Sequence, residues 1–124
     1  MARIERFEDI DAWKEARRLS ADTYATARSR LFRVDPSLQD QMRRASVSIM
    51  SNIAEGFDSG SNREFLKFLT YALRSGSELQ SHLYVALDQA YIQTEVFQTL
   101  YDQARSVKSL IGGFRRYLRA RPGR

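Results

Sequence analysis

The chain is 124 residues long, which suits one domain that buries about two-thirds of its unfolded surface. It contains no cysteine, and this excludes both a disulfide framework and a thiolate metal site. No stretch approaches the roughly 20 apolar residues that cross a bilayer, and the charged N-terminus does not resemble a signal peptide. We therefore expect a cytoplasmic protein with no membrane segment.

Apolar residues recur every three or four positions along almost the whole chain, and proline occurs only at positions 36 and 122. This spacing is typical of amphipathic α-helices and predicts an all-α protein. Long helices with short connections favour an antiparallel up-and-down four-helix bundle in a single domain over residues 1–124. The predicted helices cover about 9–30, 36–57, 61–90 and 94–119, and a basic tail follows at 120–124.

The residues at the predicted helix ends fit these boundaries. Asp9 places a carboxylate at the start of the first helix, and Asp35-Pro36 opens the second. Ser61 and Glu64 have the spacing of a capping box for the third helix. The remaining boundary predictions are Gly56 as the end of the second helix and Thr94 as the cap of the fourth.

The apolar spacing also predicts which side chains face the core. Small residues at Ala72 and Gly76 would let the third helix approach its neighbours closely. The pair Gly112-Gly113 is unfavourable inside a helix, so either the fourth helix bends there or another element packs against it. In the first helix the predicted inward residues are Ile10, Trp13, Ala16, Ser20, Thr23, Tyr24 and Ala27.

Positive charge is concentrated at one end of the chain. Residues 103–124 carry seven cations and no acid, whereas the first 102 residues carry 13 cations and 15 acids. Such a concentration attracts polyanions, above all nucleic acid, although a solvated helix end followed by a tail would look the same. The predicted nucleic-acid-binding residues are Arg43, Arg44, Arg105, Lys108, Arg115, Arg116, Arg119 and Arg121.

The second helix carries a second apolar line besides its core stripe. An ordinary surface helix shows one apolar stripe about 100° wide, and excess apolar surface marks a partner site. We expect this line to join copies of the chain in a homo-oligomer, unless the helix lies centrally and buries several faces within one chain. The predicted interface residues are Val47, Met50, Ala54 and Phe57.

The sequence offers little for catalysis or metal binding. His82 is the single histidine, and its upstream Glu78 has the wrong spacing for a carboxylate-bridged di-metal bundle. Helical serines such as Ser46 have no nearby base and usually bond to the preceding turn. Asn52 and Glu55 form a polar pair that suits either a ligand or, more simply, a structural hydrogen bond. We expect no enzyme activity, no metal and no cofactor.

Several segments resemble the four-helix-bundle family associated with 23S rRNA intervening sequences. They are Phe7–Ala16, Gln41–Phe57, Arg63–Leu69 and Ser77–Leu79, so the similarity extends from about Phe7 to Leu118. The resemblance implies an up-and-down bundle and a ring-like pentamer. It also relates the chain to the accessory variability-determinant proteins of diversity-generating retroelements, which implies nucleic acid and a reverse transcriptase as possible partners.

The chain departs from this family pattern at two places. Met50 stands where the family usually has proline, so we expect a straighter second helix with a longer apolar line. The glycine usual before the fourth helix is missing, and Gln89-Ala90-Tyr91-Ile92 occupies that turn.

These observations favour a non-catalytic, homo-oligomeric protein that binds RNA or DNA, mainly through phosphates. The alternatives are a protein–protein scaffold whose basic end aids solubility and a small-ligand pocket at Asn52 and Glu55.

Overall fold

The computed structural model describes residues 3–121 and consists of α-helices with two short 3-10 turns. Within these residues no helix is long and apolar enough to cross a membrane. The elements in chain order are the 3-10 turn Phe7–Asp9, α1 (Asp11–Ala27), the 3-10 turn Arg30–Val34, α2 (Pro36–Phe57), α3 (Asn62–Asp88) and α4 (Thr94–Arg119).

Each helix packs against two others. Helix α1 contacts α2 and α4, and helix α3 contacts the same two helices from the opposite side of the bundle. Short connections between consecutive helices make neighbours antiparallel. The all-α, up-and-down four-helix bundle predicted from the apolar spacing is thereby confirmed. Its largest fully buried side chains are Ile10, Leu19, Phe32, Met42, Ile49, Ile53, Leu69, Leu79, Leu83 and Ile111.

Local capping explains why α2 and α3 begin where the sequence predicts. The Asp35 carboxylate accepts a hydrogen bond from the Leu38 amide at 3.1 Å, just before the proline at the first helical position. The Ser61 hydroxyl accepts from the Glu64 amide at 3.1 Å. Each cap satisfies one of the amide groups that a helix start leaves unpaired.

The prediction of one helix over 9–30 is wrong at both ends. Asp9 belongs to the first 3-10 turn, where its carboxylate accepts from the amides of Glu5 and Arg6 at 3.0 and 3.2 Å. Helix α1 ends at Ala27, and the second 3-10 turn carries Phe32 into the core, where it is fully buried. Burial of this aromatic ring outweighs continuation of the helix.

Two inward positions of α1 also differ from the prediction. Tyr24 is exposed rather than buried, and Trp13 is only half-buried. Ala12 and Leu19, which the predicted stripe omits, are buried instead. The buried stripe of α1 is therefore rotated about the helix axis relative to the predicted one.

The turn between α3 and α4 holds a non-glycine residue in the left-handed region. Ala90 has φ +60°, while its amide donates to the Leu87 carbonyl and the next amide, of Tyr91, donates to the Ala86 carbonyl. These two bonds form a Schellman motif, in which glycine is the usual residue at this position. Helix α4 then starts at Thr94 without a side-chain cap, so the prediction of Thr94 as cap is wrong.

Gly56 does not end α2, which continues to Phe57. It is buried where α2 meets α3, and a Cβ there would lie 2.8 Å from the Cδ1 of Phe65 and 2.8 Å from the Cβ of Phe68. The glycine is needed because the two helices approach too closely for a side chain.

Candidate nucleic-acid interface

Two of the eight predicted nucleic-acid-binding cations are paired with acids on their own helix. The Nε of Arg44 lies 2.9 Å from a carboxylate oxygen of Asp40, and Arg105 pairs with Asp102. Exposed pairs of this kind add little stability, yet each acid cancels the local charge that would attract phosphate. Arg44 and Arg105 therefore contribute little to a basic surface.

Arg43 and Lys108 contact uncharged side chains, so their positive charge is not cancelled by an acid. The Arg43 guanidinium lies 5.5 Å from the centre of the Tyr24 ring, at the contact of α1 with α2. The Nζ of Lys108 donates to the Ser77 hydroxyl at 2.8 Å and to the Gln80 side chain at 3.0 Å, which fixes it between α3 and α4. Arg43 thus belongs to another face, while Lys108 stays beside the basic end of α4.

The other four predicted cations follow one another closely at the end of α4. Within residues 3–121 none of them forms a salt bridge. Three are exposed and one is half-buried, and no acidic residue lies between Asp102 and the end of the described chain. We call this group the α4 arginine cluster; it consists of Arg115, Arg116, Arg119 and Arg121.

Local contacts position two members of the α4 arginine cluster, Arg115 against the bundle and Arg116 beside the glycines of its own helix. The Nε of Arg115 is buried, so the base of its guanidinium is held against the protein. The terminal nitrogens of Arg116 lie 3.8 and 3.7 Å from where a Cβ on Gly112 and on Gly113 would be. Helix α4 runs continuously through both glycines, and in the described chain the guanidinium of Arg116 lies over them. A side chain held by packing loses less conformational freedom when it binds a ligand.

Helix α3 adds cations that the sequence analysis did not select. The Asn62 side chain donates to the Arg121 carbonyl at 3.1 Å, so the start of α3 lies beside the end of α4. Arg63, Lys67 and Arg74 are exposed, and their spacing of four and seven residues places them along one side of α3. A search of the charged residues for helical periodicity would have found them. None forms a salt bridge within the described chain.

Of the four predicted interface residues on α2, only Val47 is exposed in the structure. Val47 is 37% exposed, and Met50 and Ala54 are half-buried. Phe57 packs edge-to-face on Phe65, with 6.0 Å between the ring centres, and therefore lies against the core of its own chain. The exposed apolar surface on α2 is centred on Val47.

Asn52 holds a structural position. Its side-chain amide donates to the Ser48 carbonyl at 2.8 Å, and the Ser48 hydroxyl bonds to that of Ser75 on α3 at 2.8 Å. Glu55 is exposed and makes no side-chain hydrogen bond with its described neighbours. Asn52 therefore belongs to the contact between α2 and α3, and Glu55 does not join it in a pocket.

His82 and Ser46 are not arranged for chemistry. The Nε2 of His82 is buried, 4.0 Å from a Glu78 oxygen, and has no hydrogen-bond partner among the described residues. The Ser46 hydroxyl donates to the Arg43 carbonyl of the preceding turn at 2.8 Å. Residues 3–121 contain no group of three histidine, aspartate or glutamate side chains placed to hold a metal ion.

The fold and the basic end of α4 define a small helical-bundle protein with a cationic surface. The sequence profile of the 23S rRNA-intervening sequence protein family matches residues 8–113, and the chain belongs to this family. Among curated proteins no sequence matches the chain.

One solved structure similar to this chain is the crystal structure of a protein of unknown function from the S23 ribosomal protein family of Bacteroides thetaiotaomicron. The two share 18% identity and a TM-score of 0.77, and the match covers 85% of this chain and 95% of that one. At this level of identity the similarity concerns the fold.

Proposed function

We propose that this protein is a non-catalytic, homo-oligomeric nucleic-acid-binding protein that contacts phosphates, with RNA as its ligand. The observation that carries the proposal is the α4 arginine cluster, whose members form no salt bridge within residues 3–121. Unpaired guanidiniums on a rigid helix bind phosphate oxygens with charge-assisted hydrogen bonds. The family name, which refers to an intervening sequence of 23S rRNA, supports RNA over DNA.

Contact with phosphate rather than with base edges follows from the type of surface. Helix α4 packs along the bundle with its apolar side, and its arginines occur at consecutive turns instead of on a protruding recognition element. Phosphate contacts position a nucleic acid and carry little sequence information. Affinity should therefore fall steeply with salt and vary little among RNA sequences.

The test is fluorescence anisotropy with a labelled RNA of about 20 nucleotides over a series of salt concentrations. Substitution of Arg115, Arg116 and Arg119 by glutamine should weaken binding by about 100-fold at low salt and reduce the salt slope by about two. The matched control replaces Arg44 and Arg105, which are already paired with acids. It should stay within about twofold of the unaltered protein. Failure of the unaltered protein to bind RNA at low salt would remove the proposal.

Self-association forms part of the proposal and depends on the α2 surface. Val47 is exposed beside half-buried Met50 and Ala54. Apolar surface of this kind has a lower free energy when a second copy covers it than when water does. A symmetric assembly would repeat the α4 arginine cluster and join weak phosphate contacts into one avid surface. The family resemblance implies a ring of five.

Light scattering on the purified protein tests this part. We expect a mass of several subunits, and we expect Val47→Glu to reduce it toward one subunit while the helical signal persists. Gln41→Glu, at an exposed position on another face of the same helix, is the control for added charge. A single-subunit mass at micromolar concentration would contradict self-association.

A protein scaffold is the second candidate function, and the exposed Val47 is the observation that favours it. In that case a different protein, such as a reverse transcriptase, covers the α2 surface, and the triple glutamine variant behaves like the unaltered chain. The anisotropy series therefore separates the two candidates.

A further inference from the structure

A cleft of about 690 Å³ opens at the end of the bundle that carries the α4 arginine cluster. It lies between the N-terminal segment, the end of α2, the start of α3 and the end of α4. Its volume falls within the range of about 300–1,000 Å³ that is typical of small-molecule sites. The residues that define it are Arg3, Phe57, Phe65, Phe114, Tyr117 and Arg121.

Aromatic rings line one wall of this cleft in an unbroken series. Phe65 lies between Phe57 and Phe114, with ring centres 6.0 and 5.3 Å away, and Phe114 continues to Tyr117 at 5.8 Å. The inner ring, Phe65, is buried, whereas Tyr117 is 36% exposed. The series supports Tyr117 from behind and leaves part of its surface accessible.

Two guanidiniums border the same cleft. That of Arg121 lies over the Tyr117 ring, 4.4 Å from its centre, and belongs to the α4 arginine cluster. Arg3 enters from the N-terminal segment, where its Nε is 3.9 Å from a Glu5 carboxylate, and both side chains are largely exposed. The cleft therefore combines an accessible aromatic ring with positive charge that is continuous with the proposed phosphate-binding surface.

We propose that this cleft holds one unpaired nucleotide of an RNA strand, so that the protein prefers single-stranded RNA to duplex. The inference rests on the proposed function and names the ligand class of the same surface. An unpaired base can stack on the exposed part of the Tyr117 ring, beside the Arg121 guanidinium, which binds the adjoining phosphate. A base inside a duplex is already stacked and paired, so it cannot enter the cleft without first leaving the helix.

The experiment compares one labelled RNA strand alone and annealed to its complement, by anisotropy at fixed salt. Tyr117→Ala should weaken binding of the single strand by about tenfold and leave duplex binding within about twofold. Tyr71→Ala is the matched control, since Tyr71 is also 36% exposed and carries the Arg74 guanidinium at 5.9 Å, but lies outside the cleft. It should change neither affinity by more than about twofold.

Tyr117→Phe keeps the ring and provides a second variant in case alanine disturbs the fold. It should bind the single strand within about twofold of the unaltered protein, because the stacking surface is retained. Equal losses for single strand and duplex in Tyr117→Ala, or no loss at all, would overturn the inference and leave phosphate binding intact. If the unaltered protein bound neither form of RNA, the proposed function and the inference would fall together.

Discussion

The two halves of α4 have the same core-facing pattern and opposite surfaces. In the first half, Glu95 and Asp102 place negative charge on the helix, and Asp102 is paired with Arg105. In the second half, after Val107, every charged residue is a cation. Phe97 and Leu100 are buried in the first half, and Ile111 and Leu118 in the second.

This contrast shows that the bundle fixes the core-facing residues of α4, whereas the surface residues are free to differ between its two halves. Core-facing positions follow the helical period along the whole of α4, because each turn has to cover the same interior. The outward positions have no such constraint. In the first half they include the ion pair of Asp102 with Arg105, and in the second half they carry the α4 arginine cluster. Each of the following substitutions alters one side of the contrast.

The largest effect should come from the shared core. Leu100→Ala and Leu118→Ala remove buried side chains that are 3% and 7% exposed, one from each half of α4. Each should lower the free energy of unfolding by about 3 kcal/mol, measured by urea denaturation. A loss below about 1 kcal/mol for Leu118→Ala alone would mean that the last turns of α4 add little to the core.

An acid introduced into the second half of α4 should pair with its arginines and weaken RNA binding. In Gly112→Glu the new carboxylate stands three and four residues before Arg115 and Arg116, the spacing at which Asp102 pairs with Arg105. A Cβ at this position meets only the end of the Arg116 side chain, so the substitution fits. RNA affinity should fall by about tenfold, measured by anisotropy at low salt.

The control for this transfer is Gly112→Ala, which adds a side chain without charge. It should raise helix stability by about 1 kcal/mol and leave RNA affinity within about twofold. If Gly112→Glu bound RNA as well as Gly112→Ala does, unpaired arginines would not be the basis of binding.

The turn that leads into the first half of α4 contains backbone strain, because Ala90 lies in the left-handed region. Ala90→Gly should raise the free energy of unfolding by about 1 kcal/mol, because glycine adopts φ +60° without a Cβ clash. Ala25→Gly, at an exposed position inside α1, is the control and should lower it by about as much. Thermal unfolding measures both, and a destabilised Ala90→Gly variant would contradict this account of the turn.

The smallest effect should come from release of Arg105. Asp102→Asn removes the acid that pairs with it, so RNA affinity at pH 7 should rise by about two- to threefold. A second substitution, Arg105→Gln, should cancel the gain. An unchanged affinity in Asp102→Asn would show that Arg105 lies outside the RNA-binding surface.

The same substitution changes the response to acid. Hydrogen bonds from Gln98 and Arg105 hold the pKa of Asp102 below its ordinary value of 3.8. A lowered pKa favours the folded state at neutral pH, and the contribution disappears as the pH falls through that pKa. Urea denaturation at pH 7 and at pH 3 measures this contribution. Between the two pH values the free energy of unfolding should fall less for Asp102→Asn than for the unaltered chain.

Much of the fold was predictable because local chemistry and tertiary packing agree. The bounds of α2 and α4 follow from Asp35-Pro36 and from unbroken apolar spacing, and the structure has them at Pro36–Phe57 and Thr94–Arg119. The first helix was predicted too long because its period continues past Ala27. The helix ends at Ala27, and the 3-10 turn that Ser29 caps places Phe32 in the core, a burial that the period of α1 does not indicate.

The candidate surface was predictable in composition, and the spacing of charges within each helix also indicates the pairing. The absence of acids after Asp102 indicates a basic end, and the structure agrees. Arg44 and Arg105 were chosen as positive charges on α2 and α4, yet each has an acid within one helical turn that cancels its charge. Arg63 and Lys67 were missed because they lie outside the acid-free segment 103–124, although their helical spacing places them on one side of α3.

From the amino-acid sequence alone came the helical class, the number of helices and the location of the positive charge, since each depends on neighbours within a few residues. The packing of the helices decided that Gly56 lies against Phe65. It also brought Arg3, Phe57 and Tyr117 to one cleft from three distant segments. Such contacts arise only when helices pack side by side, so no periodicity within a single helix encodes them.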